Sequence, residues 1–234
     1  MMNTEVEKLA GSPSKSPADE PVQLTLMSEE EPDLFAFDSG FRAECGAVCG
    51  IDEAGRGPLA GDVFAAAVIF DEGTVIEGIN DSKKLTEKKR EALFDEICAK
   101  AKAYCIASAS VDEIEQLNIL QADFLAMQRA YNGLGMQAGI VLVDGNQLPQ
   151  LDAEMKYVIK GDAKSASIAA ASILAKVSRD RYMKQMAEEY PQYGFDKHKG
   201  YGTKLHYELI AQYGIQPFYR RSFLKKQGYW TEGK

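Results

Sequence analysis

Apolar positions in this chain alternate between short continuous runs and helical spacing. The runs near 47–52 and 63–70 are bounded by glycine, proline or acid and are too short for buried helices; both read as strands. Tyr104–Ser110, Ile140–Asp144 and Tyr157–Lys160 read the same way. Between them lie helical patterns. Residues 32–43 form a short leading helix. From Thr86 to about Lys102, Leu93, Phe94 and Ile97 recur at helical spacing and Thr86 is placed to cap. Asp112–Asn118 and Leu120–Leu134 follow, closed by Gly133 and Gly135. The longest helix runs from Ser165 to about Tyr190, and its small-residue run Ala169-Ala170-Ala171-Ser172 lets it lie close on a sheet. Helical segments return near 203–213. An early hairpin-like set of strands, then helices, then a strand after a long crossover predicts an α/β fold with a mixed sheet. In such sheets sites gather at strand ends.

Chemistry appears at those ends. The first strand stops in two adjacent carboxylates, Asp52 and Glu53, followed by Gly55, Arg56, Gly57, Pro58 and Gly61. Side chains alternate along a strand, so the two acids diverge unless the strand twists or ends there. The glycines favour an ending. Burying an unpaired carboxylate costs on the order of several kcal/mol, so something cationic must compensate. The run Ile140–Val143 also ends in an acid, Asp144, and Asp162 stands in Lys160-Gly161-Asp162 at the mouth of the long helix. If the first and fourth strands are neighbours, their ends lie about 5 Å apart. Four converging carboxylates repel one another without a cation, and an all-oxygen set selects Mg²⁺ or Mn²⁺ over zinc. Two such ions about 4 Å apart suit phosphodiester hydrolysis.

Composition narrows the picture. The chain has 234 residues, enough for one compact domain with tails, and is 45% hydrophobic. No run approaches a membrane span and no apolar signal region opens the sequence, so a cytoplasmic protein is expected; a monomer is the default expectation. Cys45, Cys49, Cys98 and Cys105 lack the second ligand pair of a zinc site and read as idle thiols. The net charge of −8 is uneven: −7 over 1–46, −6 over 47–180 and +5 over 181–234. The basic, aromatic C-terminal part suits a phosphate-bearing partner despite the acidic total. Residues 1–31 read as a disordered polar extension, 32–190 as the catalytic domain and 191–234 as a helical substrate-binding part. Within the extension, Gln23-Leu24-Thr25-Leu26-Met27 resembles the short peptides by which bacterial replication proteins grip the sliding clamp.

At this point the blocks add up to a resemblance. Asp52-Glu53-Ala54-Gly55-Arg56-Gly57-Pro58-Leu59-Ala60-Gly61, Asp81-Ser82-Lys83-Lys84-Leu85, Val143-Asp144-Gly145, Lys160-Gly161-Asp162 with Ser165, Gly200-Tyr201-Gly202-Thr203 and Arg220-Arg221-Ser222-Phe223 are similar, in order, to the motifs of ribonuclease HII. The resemblance runs from about residue 46 to 224. It implies a ribonuclease H-like five-stranded mixed sheet flanked by helices, with a small helical C-terminal part. It implies endonucleolytic hydrolysis of RNA in RNA–DNA hybrids and at single ribonucleotides within DNA duplexes, leaving 5′-phosphate and 3′-hydroxyl ends. By the same analogy Asp52, Glu53, Asp144 and Asp162 hold the catalytic metals. Gly55, Arg56 and Gly57 sense the 2′-hydroxyl, the only local difference between RNA and DNA, and the adjacent phosphate largely through their backbone. Tyr201 stacks on the sugar at the ribo–deoxy junction. Lys83, Lys84, Lys176 and the Arg220–Lys226 cluster are candidate phosphate contacts, while Arg220 and Arg221 can instead pin the C-terminal segment to the domain.

Two positions depart from the family pattern. Asp62 stands where proline is usual and is expected to add a charge near the metal cluster and loosen the turn. Tyr219 stands where histidine is common. Ribonuclease HIII shares fold and metals, but its glycine loop differs and it carries a folded N-terminal binding domain. A non-catalytic hybrid binder has no use for four carboxylates. An unrelated phosphatase has no use for a basic aromatic C-terminal part.

Overall fold

The computed structural model describes residues 33–80 and 82–228. Five strands form one sheet: β1 (Val48–Ala54), β2 (Val63–Ile69), β3 (Ala103–Ala109), β4 (Ile140–Asp144) and β5 (Met155–Val158), in the order β3-β2-β1-β4-β5. β1–β2 and β2–β3 are antiparallel; β1–β4 and β4–β5 are parallel. The expected mixed sheet is therefore present, with β1 at its centre. Two boundaries differ from expectation. β1 does not stop at Asp52 but stays paired with β2 through Glu53 and Ala54, because its glycines begin only at Gly55. β5 lies earlier than Tyr157–Lys160, since Lys160 takes a left-handed conformation and turns the chain.

Helices cover both faces. The strongly alternating strands sort their side chains between them. Cys49, Ile51, Val63, Ala65, Ala67, Val141 and Val143 pack with α4 (Ile119–Asn132) on one face. Ala54, Ala66 and Val68 pack with α5 (Ala166–Glu189) and α2 (Glu87–Lys100) on the other, joined by Val48, Ile140 and Leu142. The two facing helices differ as the sequence suggests. α5 buries Ala166 through Ala175 without a break, and its backbone lies so close to β1 that a side chain at Gly50 would collide with the Ser167 carbonyl and Ile168 N. Ser165 caps α5, its hydroxyl accepting from Ile168 N–H, a contact of about 1 kcal/mol. Neither this cap nor a second one was read from the sequence: Asp38, buried on α1 (Leu34–Cys45), accepts from Ser167 N–H at 2.8 Å.

α3 (Val111–Leu117) opens with a reciprocal capping box between Ser110 and Glu113. After α5 the chain forms α6 (Phe195–His198), α7 (Lys204–Tyr213) and α8 (Arg221–Lys226). These close over a cluster of Tyr193, Phe195, Ile210, Tyr219 and Leu224 that also holds Leu59 and Ala60 of the glycine loop. Among the described residues no helix is long and apolar enough to cross a membrane. The four cysteines are free thiols.

Candidate active site

The parallel pairing of β1 with β4 sets Ile51 beside Val143, so the next residues, Asp52 and Asp144, leave the sheet at the same end. By alternation both face α5, while Glu53 faces α4. Asp52 is buried and its Oδ1 accepts from Glu53 N–H at 2.7 Å. Burial, then Glu53 and Asp144, raise its proton affinity well above the ordinary carboxylate range; Ser172 on α5 opposes the shift by hydrogen bonding. Glu53 is raised mainly by burial, with Arg56 opposing and Asp144 adding. Asp144 Oδ1 accepts from Gly161 N–H at 2.6 Å, which ties the end of β4 to the turn carrying Asp162. Asp162 is itself buried, with Lys83 Nζ 3.6 Å from its Oδ2.

A hollow of about 200 Å³ gathers most of the expected residues. Asp52, Glu53, Gly55, Arg56, Lys83, Asp144 and Tyr201 line it, with Ala54, Ser82, Ser172 and Lys176. Asp162 and Gly57 are outside this lining; Asp162 adjoins it through Lys83, and Gly57 follows Arg56 on an exposed turn. Ser82 Oγ and Ser172 Oγ lie 2.9 Å apart, linking the turn that bears Lys83 to the helix that supports Asp52. Lys176 holds Asp180 at 2.6 Å.

The oxygen-only donor set fits a hard divalent cation. So does the raised proton affinity of Asp52 and Glu53, which marks negative charge without enough positive charge beside it. The side chains do not form a closed cage: among the described residues, no three His, Cys, Asp or Glu stand at metal-holding spacing. Cations of the chain stand there instead, Arg56 at 3.6 Å from Glu53 and Lys83 at 3.6 Å from Asp162.

Three residues were given no role from the sequence, although Arg179 stands in a block, Arg179-Asp180, that is similar to the family's motifs. Asp123 on α4 is fully buried and neither oxygen accepts a hydrogen bond. Arg56 Nε lies 3.5 Å from it, and burial, then Glu53, push it up to about 8. A lone acid on an otherwise apolar helix face was the available signal. Arg179 is fully buried and donates to the carbonyls of Ala60, Asp62 and Lys199. It occupies the space where a side chain at Gly55 would stand, and Gly55 has φ +103°. His206 carries the Tyr201 turn: its Nδ1 donates to Tyr201 O at 2.9 Å and its Nε2 accepts from the Tyr219 hydroxyl at 3.1 Å. Burial, then the stacked His198, hold His206 down to about 4.

Two expectations change. Asp62 does not load the carboxylate cluster: its side chain accepts from Val111 N–H at the start of α3, in a separate hollow with Tyr182 and Phe218. Arg220 is not a phosphate contact. It is fully buried and turned onto the glycine loop.

A central β1 flanked by one antiparallel and one parallel neighbour, with acids at the shared ends, defines a divalent-metal-dependent nuclease of the ribonuclease H fold. Known proteins narrow the class. The chain belongs to the ribonuclease HII family, whose model matches residues 49–226. It is 58% identical to ribonuclease HII of Delftia acidovorans over 76% of each chain. It is 55% identical to that of Shewanella baltica over 82% of this chain and 92% of the relative. Among solved structures, ribonuclease H2 of Pyrococcus horikoshii superposes with a TM-score of 0.65 at 28% identity, over 77% of this chain and 96% of the other. A Bst ribonuclease HIII, at 17% identity and a TM-score of 0.65 over 78% and 68%, shares the fold.

Proposed function

We propose that the hollow at the end of β1 and β4 takes a phosphodiester that adjoins a ribonucleotide. The substrate is an RNA–DNA hybrid or a DNA duplex with one embedded ribonucleotide, and the products carry 5′-phosphate and 3′-hydroxyl ends. The observation that carries this reading is the burial of Asp52, with Glu53 partly buried, beside Asp144, against their electrostatic interest, next to a loop with exposed amides. Two divalent ions, Mg²⁺ or Mn²⁺, held by Asp52, Glu53, Asp144 and Asp162, supply the charge that activates water and neutralises the leaving oxygen.

The chain's own residues do the rest. Ser172 and Glu53 N–H orient Asp52; Gly161 N–H orients Asp144. Arg56 and Lys83 stand at the mouth, where they can turn from carboxylate to substrate phosphate. Gly55, Arg56 and Gly57 present backbone to the 2′-hydroxyl. Tyr201, 41% exposed, offers its ring to the next sugar; the Arg179 guanidinium lies 5.6 Å from its centre on the protein side. A hydroxyl on that next sugar would spoil the contact, which favours the ribo–deoxy junction. Residues 32–190 supply the catalytic groups and 191–234 the turn bearing Tyr201.

The extension 1–31 serves partners rather than chemistry in this reading. A ribonuclease HII of Archaeoglobus fulgidus, 26% identical with a TM-score of 0.58 over 74% and 93%, was solved in complex with PCNA. Gln23–Met27, the clamp-binding candidate of this chain, lies outside the described residues. The function is tested with a labelled DNA duplex bearing one ribonucleotide, with and without Mg²⁺. A single metal-dependent cut beside the ribonucleotide, leaving 5′-phosphate and 3′-hydroxyl ends, is expected; an intact duplex overturns the reading.

A further inference from the structure

The glycine loop after β1 is held from behind by two arginines: Arg179 reaches Ala60 O and packs against Gly55, and Arg220 takes most of the other carbonyls. All five N–H donors of the Arg220 guanidinium, its whole capacity, go to carbonyls of that loop. Nε donates to Gly61 O at 2.9 Å, Nη1 to Arg56 O and Pro58 O at 3.0 Å each, and Nη2 to Gly55 O and Gly61 O at 2.7 Å each. The backbone reinforces this: Arg220 N–H donates to Leu59 O at 2.8 Å and Tyr219 bridges Ala60.

The arrangement decides where the loop's own N–H groups point. A trans peptide is planar, with C=O and N–H opposed, and the described residues contain no cis bond. Gly55 and Arg56 turn their carbonyls inward to Arg220, so the N–H groups of Arg56 and Gly57 turn away from it. Both residues are exposed. Neither N–H has an acceptor among the described residues, whereas Leu59 N–H, on the peptide that follows Pro58, reaches Gly200 O at 2.8 Å. Two successive outward amides beside a hollow make a concavity for an anionic or hydroxyl oxygen.

We propose that Arg220 is a positioning residue for ribonucleotide recognition, holding the carbonyls of Gly55 and Arg56 inward so that the amides of Arg56 and Gly57 meet the sugar–phosphate of the ribonucleotide. The proposal rests on the reading of Gly55–Gly57 as the ribonucleotide-sensing loop. A cation on each carbonyl also polarises the peptide and strengthens the opposite N–H as a donor. Lysine cannot substitute, because three donors at one point do not span four carbonyls.

The test uses the full chain with Arg220→Lys and Arg220→Gln. Two labelled duplexes of one sequence serve as probes, one with a single ribonucleotide and one all DNA. kcat/KM on the ribonucleotide duplex should fall about 100-fold, the usual order for losing aimed amide donors. Affinity for the all-DNA duplex in Mg²⁺ should stay within about three-fold, since backbone phosphate contacts elsewhere carry that binding. Equal losses on both probes, or wild-type kcat/KM in either folded variant, overturn the proposal. If both variants fail to fold, amide resonances of the wild-type protein decide. Those of Arg56 and Gly57 should shift with the ribonucleotide duplex and not with the all-DNA duplex; matching responses overturn it. A wild-type protein that leaves the ribonucleotide duplex uncut removes the functional reading instead, a separate result.

Discussion

The carboxylates at the ends of β1 and β4 and the arginines behind the glycine loop are both buried charge, built in opposite ways. Arg179 and Arg220 have no carboxylate within salt-bridge reach among the described residues, yet their donors meet carbonyl oxygens at 2.7 to 3.3 Å. Asp52, Glu53, Asp144 and Asp123 crowd together with few donors, and Asp123 accepts no hydrogen bond. Burial, then the like charge of Arg179, pull Arg220 down to about 9, with Asp62 opposing, which leaves it charged at neutral pH. The same burial pushes Asp123 up to about 8. A buried ion is tolerable when dipoles surround it, and costly when like charges do. The arginine cluster is thus scaffolding; the carboxylate cluster is held in tension for a cation.

The contrast can be broken at either cluster. Asp52→Asn should lower single-ribonucleotide cleavage by at least about 10³-fold, since a proposed metal-holding oxygen is lost. In EDTA it should melt a few degrees higher, because one of several opposed charges is gone. Retained cleavage in Mg²⁺, or a lower melting temperature, would break the comparison on that side. Arg179→Ala should do the reverse, costing about 3 kcal/mol in urea denaturation by stranding the carbonyls of Ala60, Asp62 and Lys199. A variant as stable as wild type would show that the arginine is dispensable scaffolding.

The pH dependence of metal-free stability sharpens the point, because the clusters pull in opposite directions. Asp123 binds its proton more tightly folded than unfolded, so its contribution is full below about pH 4 and is lost as pH rises toward 8. The slope approaches about 1.4 kcal/mol per pH unit at its steepest, and Asp123→Asn should flatten it. An unchanged slope would assign it elsewhere. His206, held down to about 4, contributes above about 6.5 and loses that contribution as pH falls. Tyr201→Ala should cost about ten-fold at a single ribonucleotide and less within a long RNA tract, as a lost stacking contact does; equal losses would remove the junction role. The smallest effect expected is removal of residues 1–31, which should leave the cleavage rate within about two-fold, since that extension supplies none of the proposed catalytic groups.

Much of this was legible residue by residue. Strand and helix periods, Thr86 as a cap, the alanine run of α5 and the acids closing two apolar runs are local properties, encoded within a few neighbours. Pairing partners are not local. That β4 lies parallel beside β1, so that Asp144 comes to Asp52, was conditional until the sheet order was known. Glu53 and Asp52 diverge to opposite faces because β1 runs on to Ala54, which no single turn signal announces. Arg220 shows the limit most clearly. In sequence it is one of several basic residues near the C-terminal end, equally suited to a phosphate or a carbonyl. What it touches lies across the fold in the loop Gly55–Gly61. A guanidinium has the same donors in either setting; only the chain's path decides whether those donors face solvent and substrate or the protein's own backbone.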